Sequence, residues 1–240
     1  MNSNRKWAAA CGLAFLFLVT DASGAVIGHL DIANCTGGGV TVSGSFIDFL
    51  PGNSVESPGT GCVQTGSGTN VSFGAGSTLG PGIQGAILDL VFNPANPPVP
   101  GFMTFTGLDF TLTSIGPGVT NAVCAAVLDP NLPSCSVGGN TPFILTPNST
   151  GTSITLSAIG TVSDGSSPPS NFIGAFTTQI AGQTPLSINN TILAGGSVTS
   201  TNSGDFEITT TGVIPEPSTI SMAVLGGLLV AFAARRKSRV

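Results

Sequence analysis

From Val26 to Thr211 short apolar runs are broken by clusters of Gly, Pro, Asn and Ser, and in several of them the apolar residues recur at every second position. That period belongs to half-buried β-strands. Ile154, Leu156, Ala158 and Val162 share one parity, with Thr155, Ser157 and Thr161 on the other; Phe206 and Ile208 face one way, Glu207 and Thr209 the other. Such alternation predicts antiparallel strands with one wet face. The candidate strands are Val26–Ala33, Gly39–Phe49, Asn70–Phe73, Gly85–Phe92, Phe102–Ile115, Ala122–Leu128, Thr141–Leu145, Ser153–Val162, Phe172–Ile180, Leu186–Ile188, Gly196–Thr201 and Asp205–Thr211, dominated by β-branched residues. Parity slips at Gly107 and within Gly39–Phe49, which predicts a bulge or a bend between sheets. Long connections are expected at Pro51–Asn70, Asn93–Gly101 and Asp129–Asn140. Helical periodicity is slight. The expected fold is all-β, an antiparallel β-sandwich over residues 26–212 for which a jelly-roll-like form is one option.

Two continuous apolar runs flank this body. Met1–Ala25 has a basic start at Arg5 and Lys6, an apolar stretch Trp7–Val19 and small residues Ser23-Gly24-Ala25, the pattern of a secretory signal peptide forming a short signal helix, with Val26 as the expected mature start. At the other end, Ile220–Ala234 would make roughly 22 Å of helix at ~1.5 Å per residue. A bilayer core of ~30 Å usually takes about 20 apolar residues, and Gly226-Gly227 weakens the helix. Arg235, Arg236, Lys237 and Arg239 form a basic tail that favours the cytoplasmic side. Pro215 and Pro217 keep the segment before the run extended. A short transmembrane helix used as a plain anchor is the simpler reading of the run and the tail alone.

The string Pro215-Glu216-Pro217-Ser218-Thr219 directly before that run changes the picture. Residues Ile214–Val240 resemble the PEP-CTERM sorting signal of Gram-negative bacteria, departing at Ile214, where Val is commoner. The resemblance implies Pro215, Glu216 and Pro217 as the sorting motif, and an exosortase-type membrane peptidase as processing partner. It implies transient membrane contact through Ile220–Ala234, and export through the inner membrane to the cell surface or the exterior of a Gram-negative bacterium. It further implies a place among exopolysaccharide-producing, biofilm-forming cells. The organisation is then signal peptide 1–25, β domain 26–212 and sorting signal 213–240. Gly151–Gly182 is also loosely similar to body regions of some PEP-CTERM proteins, a likeness that names no activity.

Composition narrows the function classes. Every Lys and Arg lies in the two terminal segments; the body carries nine acids, one histidine (His29) and no tyrosine. Phosphate-bearing partners need Arg or Lys, so nucleic-acid binding is not expected. Four cysteines, Cys35, Cys62, Cys124 and Cys135, read as two disulfides in an exported chain. Three pairings are possible, and sequence proximity favours Cys35–Cys62 with Cys124–Cys135. Their spacing lacks the close pairs of a zinc site.

Candidate chemistry is thin. A Ser-His-Asp triad would have to use His29, expected in an edge strand, and no Gly-x-Ser-x-Gly elbow supports it. Asp205 and Glu207 share one strand face, with Asp109 and Asp89 elsewhere, and are the best carboxylate pair for a hydrolase acting on matrix sugars. No Trp or Tyr platform accompanies them in the body. The loop Asp164–Asn171 offers one carboxylate for calcium. The expectation is therefore a non-enzymatic exported surface or extracellular-matrix protein with no cofactor, no metal and no catalytic residue, associated with exopolysaccharide. The alternative is a surface glycan- or calcium-dependent binding module.

Overall fold

The computed structural model describes residues 25–53, 60–74, 76–92, 98–139, 141–165 and 168–211. They form β1 (Ile27–Asn34), β2 (Gly39–Ser43), β3 (Phe46–Leu50), β4 (Thr60–Thr65), β5 (Asn70–Phe73), β6 (Ser77–Leu79), β7 (Gln84–Leu88), β8 (Leu90–Val91), β9 (Val99–Phe105), β10 (Leu108–Ile115), β11 (Ile144–Pro147), β12 (Gly151–Ser163), β13 (Ser170–Ala181), helix α1 (Pro185–Leu193), β14 (Ser197–Ser200) and β15 (Asn202–Thr209). The all-β, antiparallel expectation holds, but the two-sheet sandwich does not describe the arrangement. Eight strands close into a barrel-like ring in the order β1-β4-β7-β9-β10-β12-β13-β15. Closure comes from β15, which pairs with β13 on one side and with β1 on the other, from Gly28 opposite Ile208 to Ala33 opposite Ser203. A closed ring leaves none of the free edges that an open sheet exposes. A β5–β6 ribbon extends from β1, β11 lies beside β12, and β14-β2-β3-β8 make a second, small sheet.

Eight strands give an interior that side chains alone can fill. Here phenylalanine fills it. Ring contacts run from Phe105 to Phe110 (6.2 Å), Phe172 (5.5 Å), Phe206 (5.8 Å) and Phe176 (5.0 Å), then to Phe49 (5.6 Å) and Phe102 (5.7 Å). Most are edge-to-face, the favourable geometry for aromatic pairs. Glycines on neighbouring strands make room for the rings. A Cβ on Gly160 would come within 2.5 Å of the Phe172 ring, and one on Gly174 would overlap the Phe206 ring. The outward positions are mostly Thr, Ser, Asn, Gln and acids, as in Thr155, Ser157 and Thr161 of β12 and Ser203, Asp205 and Glu207 of β15. A membrane-spanning barrel shows the opposite arrangement, apolar outside and polar within.

The two ends of the barrel differ. Where β1 begins and β15 ends, the described connections are short: the Thr106-Gly107 turn, the β12–β13 hairpin and the start of the β5–β6 turn, with the Gly74 N–H donating to Asp164 Oδ2 at 2.7 Å. At the opposite end the small sheet covers the opening. Val40, Val42, Ile47 and Phe49 face Ile154, Leu156 and Phe176 there. Helix α1 and both disulfides sit at this capped end as well. Cys35–Cys62 joins the end of β1 to β4 and Cys124–Cys135 closes the loop before β11, with Cα separations of 5.5 and 5.2 Å. Both are the pairings that sequence proximity favours.

Several segments depart from expectation. Gly39–Phe49 and Phe102–Ile115 are each a hairpin, so the parity slips at Ser43–Phe46 and at Gly107 mark turns, with Gly107 at φ 80°. The first of these turns is tied by Ser43 Oγ, which accepts from the N–H of Phe46 at 3.0 Å. Ala122–Leu128 is not a strand: Asn121 Oδ1 accepts from the Val123 N–H at 3.0 Å and the Cys124 disulfide holds an irregular loop. Leu186–Ile188 belongs to α1, whose N-cap Thr184 accepts from the Ser187 N–H at 3.2 Å and whose Ile188 and Ile192 are buried one turn apart. The connection Pro51–Asn70 contains β4. Residues 93–97 of the proline-rich connection lie outside the described residues. So do the segments expected as a signal helix, except Ala25, and as a C-terminal transmembrane helix. No helix among the described residues is long and apolar enough to cross a membrane.

Half-buried Asp89 links the two sheets. Its Oδ1 accepts the Phe49 N–H at 2.8 Å. Burial raises its pKa above the ordinary 3.8; the Phe49 hydrogen bond opposes that, and the charge of Asp48 adds to it. A raised folded pKa means that the folded state holds the proton more tightly. Stability from this group is full below the ordinary aspartate value and is lost as pH rises through the raised one. Asp89→Asn keeps an acceptor for Phe49 and should therefore be more stable than the parent at pH 7, with the gap closing in acid. Denaturant midpoints from pH 2.5 to 7 check this, and a gap that widens toward acid contradicts it. Gly160→Ala should destabilise by about 1–3 kcal/mol or more, because the added Cβ meets the Thr111 backbone carbonyl of the paired strand first and the Phe172 ring next, and both must shift; chemical denaturation reads the difference.

Candidate functional site

One cluster of titratable groups forms on the barrel wall, at the β1–β15 seam. Alternation turns His29 and Asp31 outward on β1, and Asp205 and Glu207 outward on β15; pairing sets Glu207 opposite His29 and Asp205 opposite Asp31. His29 Nε2 lies 3.5 Å from Asp205 Oδ2, and its Nδ1 lies 3.7 Å from Glu207 Oε2. The Asp205 and Glu207 side chains are 77% and 61% exposed, so solvent screens these contacts strongly. β1 is not the expected edge strand, since β15 pairs with one side of it and β4 and β5 with the other. Asp31 is engaged by the turn between β4 and β5: its backbone N–H donates to Thr69 Oγ1 at 3.1 Å, and its carboxylate accepts from the Gly68 N–H at 3.4 Å.

The other candidate acids are scattered. Asp109 is the second residue of β10, and Asp89 stands beside Phe49 at the small sheet. Asp164 accepts from Gly74 and fastens the β12–β13 hairpin to the β5–β6 turn, which is structural employment for the carboxylate once offered to calcium. Among the described residues no three His, Cys, Asp or Glu side chains gather as a metal site would need.

An apolar cavity of about 20 Å³ lies where the small sheet meets the barrel, between Val40, Val42, Phe49, Leu156 and Phe176. That is room for about one water molecule. Asn202 reaches it from the seam strand. Its backbone N–H donates to Asn34 Oδ1 at 3.1 Å, while its own buried Nδ2 and Oδ1 have no partner among the described residues. The alternating pattern gives no warning of this asparagine, which occupies an inward position on β15 one step before Gly204 and Phe206.

The groups with the clearest functional signature follow β15 in the chain. Residues 213–237 match the model of the PEP-CTERM protein-sorting motif. The chain carries a PEP-CTERM sorting motif. No curated protein and no solved structure matches the chain. A PEP-CTERM motif marks a protein for export to the cell envelope or surface of Gram-negative bacteria and for handling by an exosortase-type membrane enzyme. Its residues Pro215, Glu216 and Pro217, and the tail Arg235, Arg236, Lys237 and Arg239, lie outside the described residues. The PEP-CTERM tail also holds four of the six basic residues of the chain, so the seam cluster faces no Lys or Arg within the barrel.

Opposed acids with no Lys or Arg between them repel, and salt screens that repulsion. Raising ionic strength from about 10 mM to about 0.5 M should therefore raise the thermal midpoint of the β domain. Asp205→Asn should raise the low-salt midpoint and shrink the salt response. An unchanged response in the variant would show that the seam carboxylates do not carry it.

Proposed function

We propose that this protein is a non-enzymatic structural component of the cell surface or extracellular matrix, delivered through its PEP-CTERM motif. The observation that carries the reading is the motif itself, at residues 213–237 behind a β domain. The barrel supports it by its construction. Its interior is occupied by side chains from Phe105 to Phe49, which suits a building block better than a container. Two disulfides suit an oxidising destination. A surface rich in Ser, Thr, Asn and Gln supplies hydrogen-bonding groups for hydrated polysaccharide without the charge that would bind phosphate. Exopolysaccharide is the matrix partner this reading assigns.

The intact mass of the exported protein tests it. The expected species begins at Val26, ends near Pro215 and gains about 4 Da on reduction, two hydrogens for each disulfide. Retention with purified exopolysaccharide, lost in the free sugar's presence, is the expected binding result. A species that keeps residues 220–240 and appears only in the membrane fraction would make the tail an ordinary anchor and overturn delivery through the motif.

A further inference from the structure

The closing strand and the sorting motif are close neighbours in the chain. β15 ends at Thr209, and residues 210–214 alone precede Pro215. Six Cα steps at no more than ~3.6 Å each give a reach of roughly 20 Å. β15 is not a loose terminal strand that can lend length. It is hydrogen-bonded along both sides, to β13 from Asn171 to Thr178 and to β1 from Gly28 to Ala33, and it turns Phe206 and Ile208 into the core. Thr211 is fastened as well, its hydroxyl donating to the Pro169 carbonyl of the β12–β13 hairpin at 3.2 Å. An eight-strand barrel with its side chains is itself wider than this tether is long.

We infer that processing takes place with the barrel closed and with one particular end of it against the processing enzyme. That end carries the Thr106-Gly107 turn, the β12–β13 hairpin and the Gly74 turn. An enzyme that grips Pro215–Pro217 has the barrel within about 20 Å and has to accommodate these turns. They are short and carry no Lys or Arg. The capped end, with the small sheet, α1 and both disulfides, points away from the enzyme and is free to meet other partners during processing. The length of residues 210–214, more than their identity, then sets whether the motif can enter the enzyme. This inference rests on the motif being read by an exosortase-type enzyme.

The test uses the full chain in a producing host with a tagged exosortase-type enzyme. Replacing Thr210-Thr211-Gly212 by Ser-Gly-Ser keeps the length and should leave the processed fraction unchanged. Deleting the same three residues halves the reach and should lower that fraction at least tenfold. A photo-crosslinking residue at exposed Thr106 should capture the tagged enzyme several-fold more than one at exposed Asn131, in the loop at the capped end. A 15-residue Gly/Ser insertion after Thr211 should abolish the difference while processing continues. Equal capture at both positions, a deletion processed like the parent, or a length-neutral replacement that fails would each overturn the inference. The crosslinking comparison decides the matter if the deletion variant does not fold. Glu216→Ala serves as the separate control. If it leaves processing intact, the sorting reading itself is wrong; if it blocks processing while the length and crosslinking series are flat, only this inference falls.

Discussion

The pairing of the first strand of the β domain with its last holds the architecture together. β1 and β15 are some 170 residues apart in the chain, yet they share a register from Gly28–Ile208 to Ala33–Ser203. Without that seam the sheet would have two raw edges and a core open on one side. With it, Phe206 is set between Phe172 and Phe176, and Leu30, Ile32 and Ile208 complete the wall. Such distant pairing costs loop-closure entropy before any contact rewards it. The Cys35–Cys62 bond fixes the β1–β4 neighbour pair close to that seam and shortens the search for it.

Stability in this domain comes from unusually few sources. With no Lys or Arg in the body, ion pairs with those side chains are absent, and apolar burial, the antiparallel ladders and two cross-links carry the fold. The acids are consequently placed where they cause little harm: exposed at the seam, or accepting backbone N–H groups as Asp89 and Asp164 do. Phenylalanine carries the burial. The glycines beneath the rings are the complement of those rings, small residues facing large ones across a narrow interior.

Much of this was legible beforehand, and the failures have physical reasons. The parity of Ile154–Val162 and of Phe206–Ile208 named core and surface correctly because each strand has one wet face. Of three possible cysteine pairings, the one that sequence proximity favours is the one that forms. Closure was not, because a period of two is the same in a sandwich and in a ring; only pairing partners distinguish them. Hairpins passed for single strands because a two-residue turn such as Thr106-Gly107 interrupts the pattern no more than a bulge does. Helix α1 had its signals in plain view, with Thr184-Pro185 at its start, Ile188 and Ile192 four apart, and Gly195 just past its end, but nine residues give too few turns for periodicity to dominate. The seam cluster brings together His29 and Glu207, whose proximity only the fold creates, while the sorting motif is contiguous in sequence and needed no fold to be seen.

The antiparallel seam also decides how the domain bears load. β1 starts and β15 finishes at the same end of the barrel, so a pull that separates the two termini opens the seam like a zipper, one residue pair after another. A pull entering at the capped sheet and leaving through β15 runs along the strands instead. It strains the ladders on both sides of β15 together, in shear, and the same hydrogen bonds then resist as a group. The domain is weak when stretched between its termini and strong when loaded from its capped face.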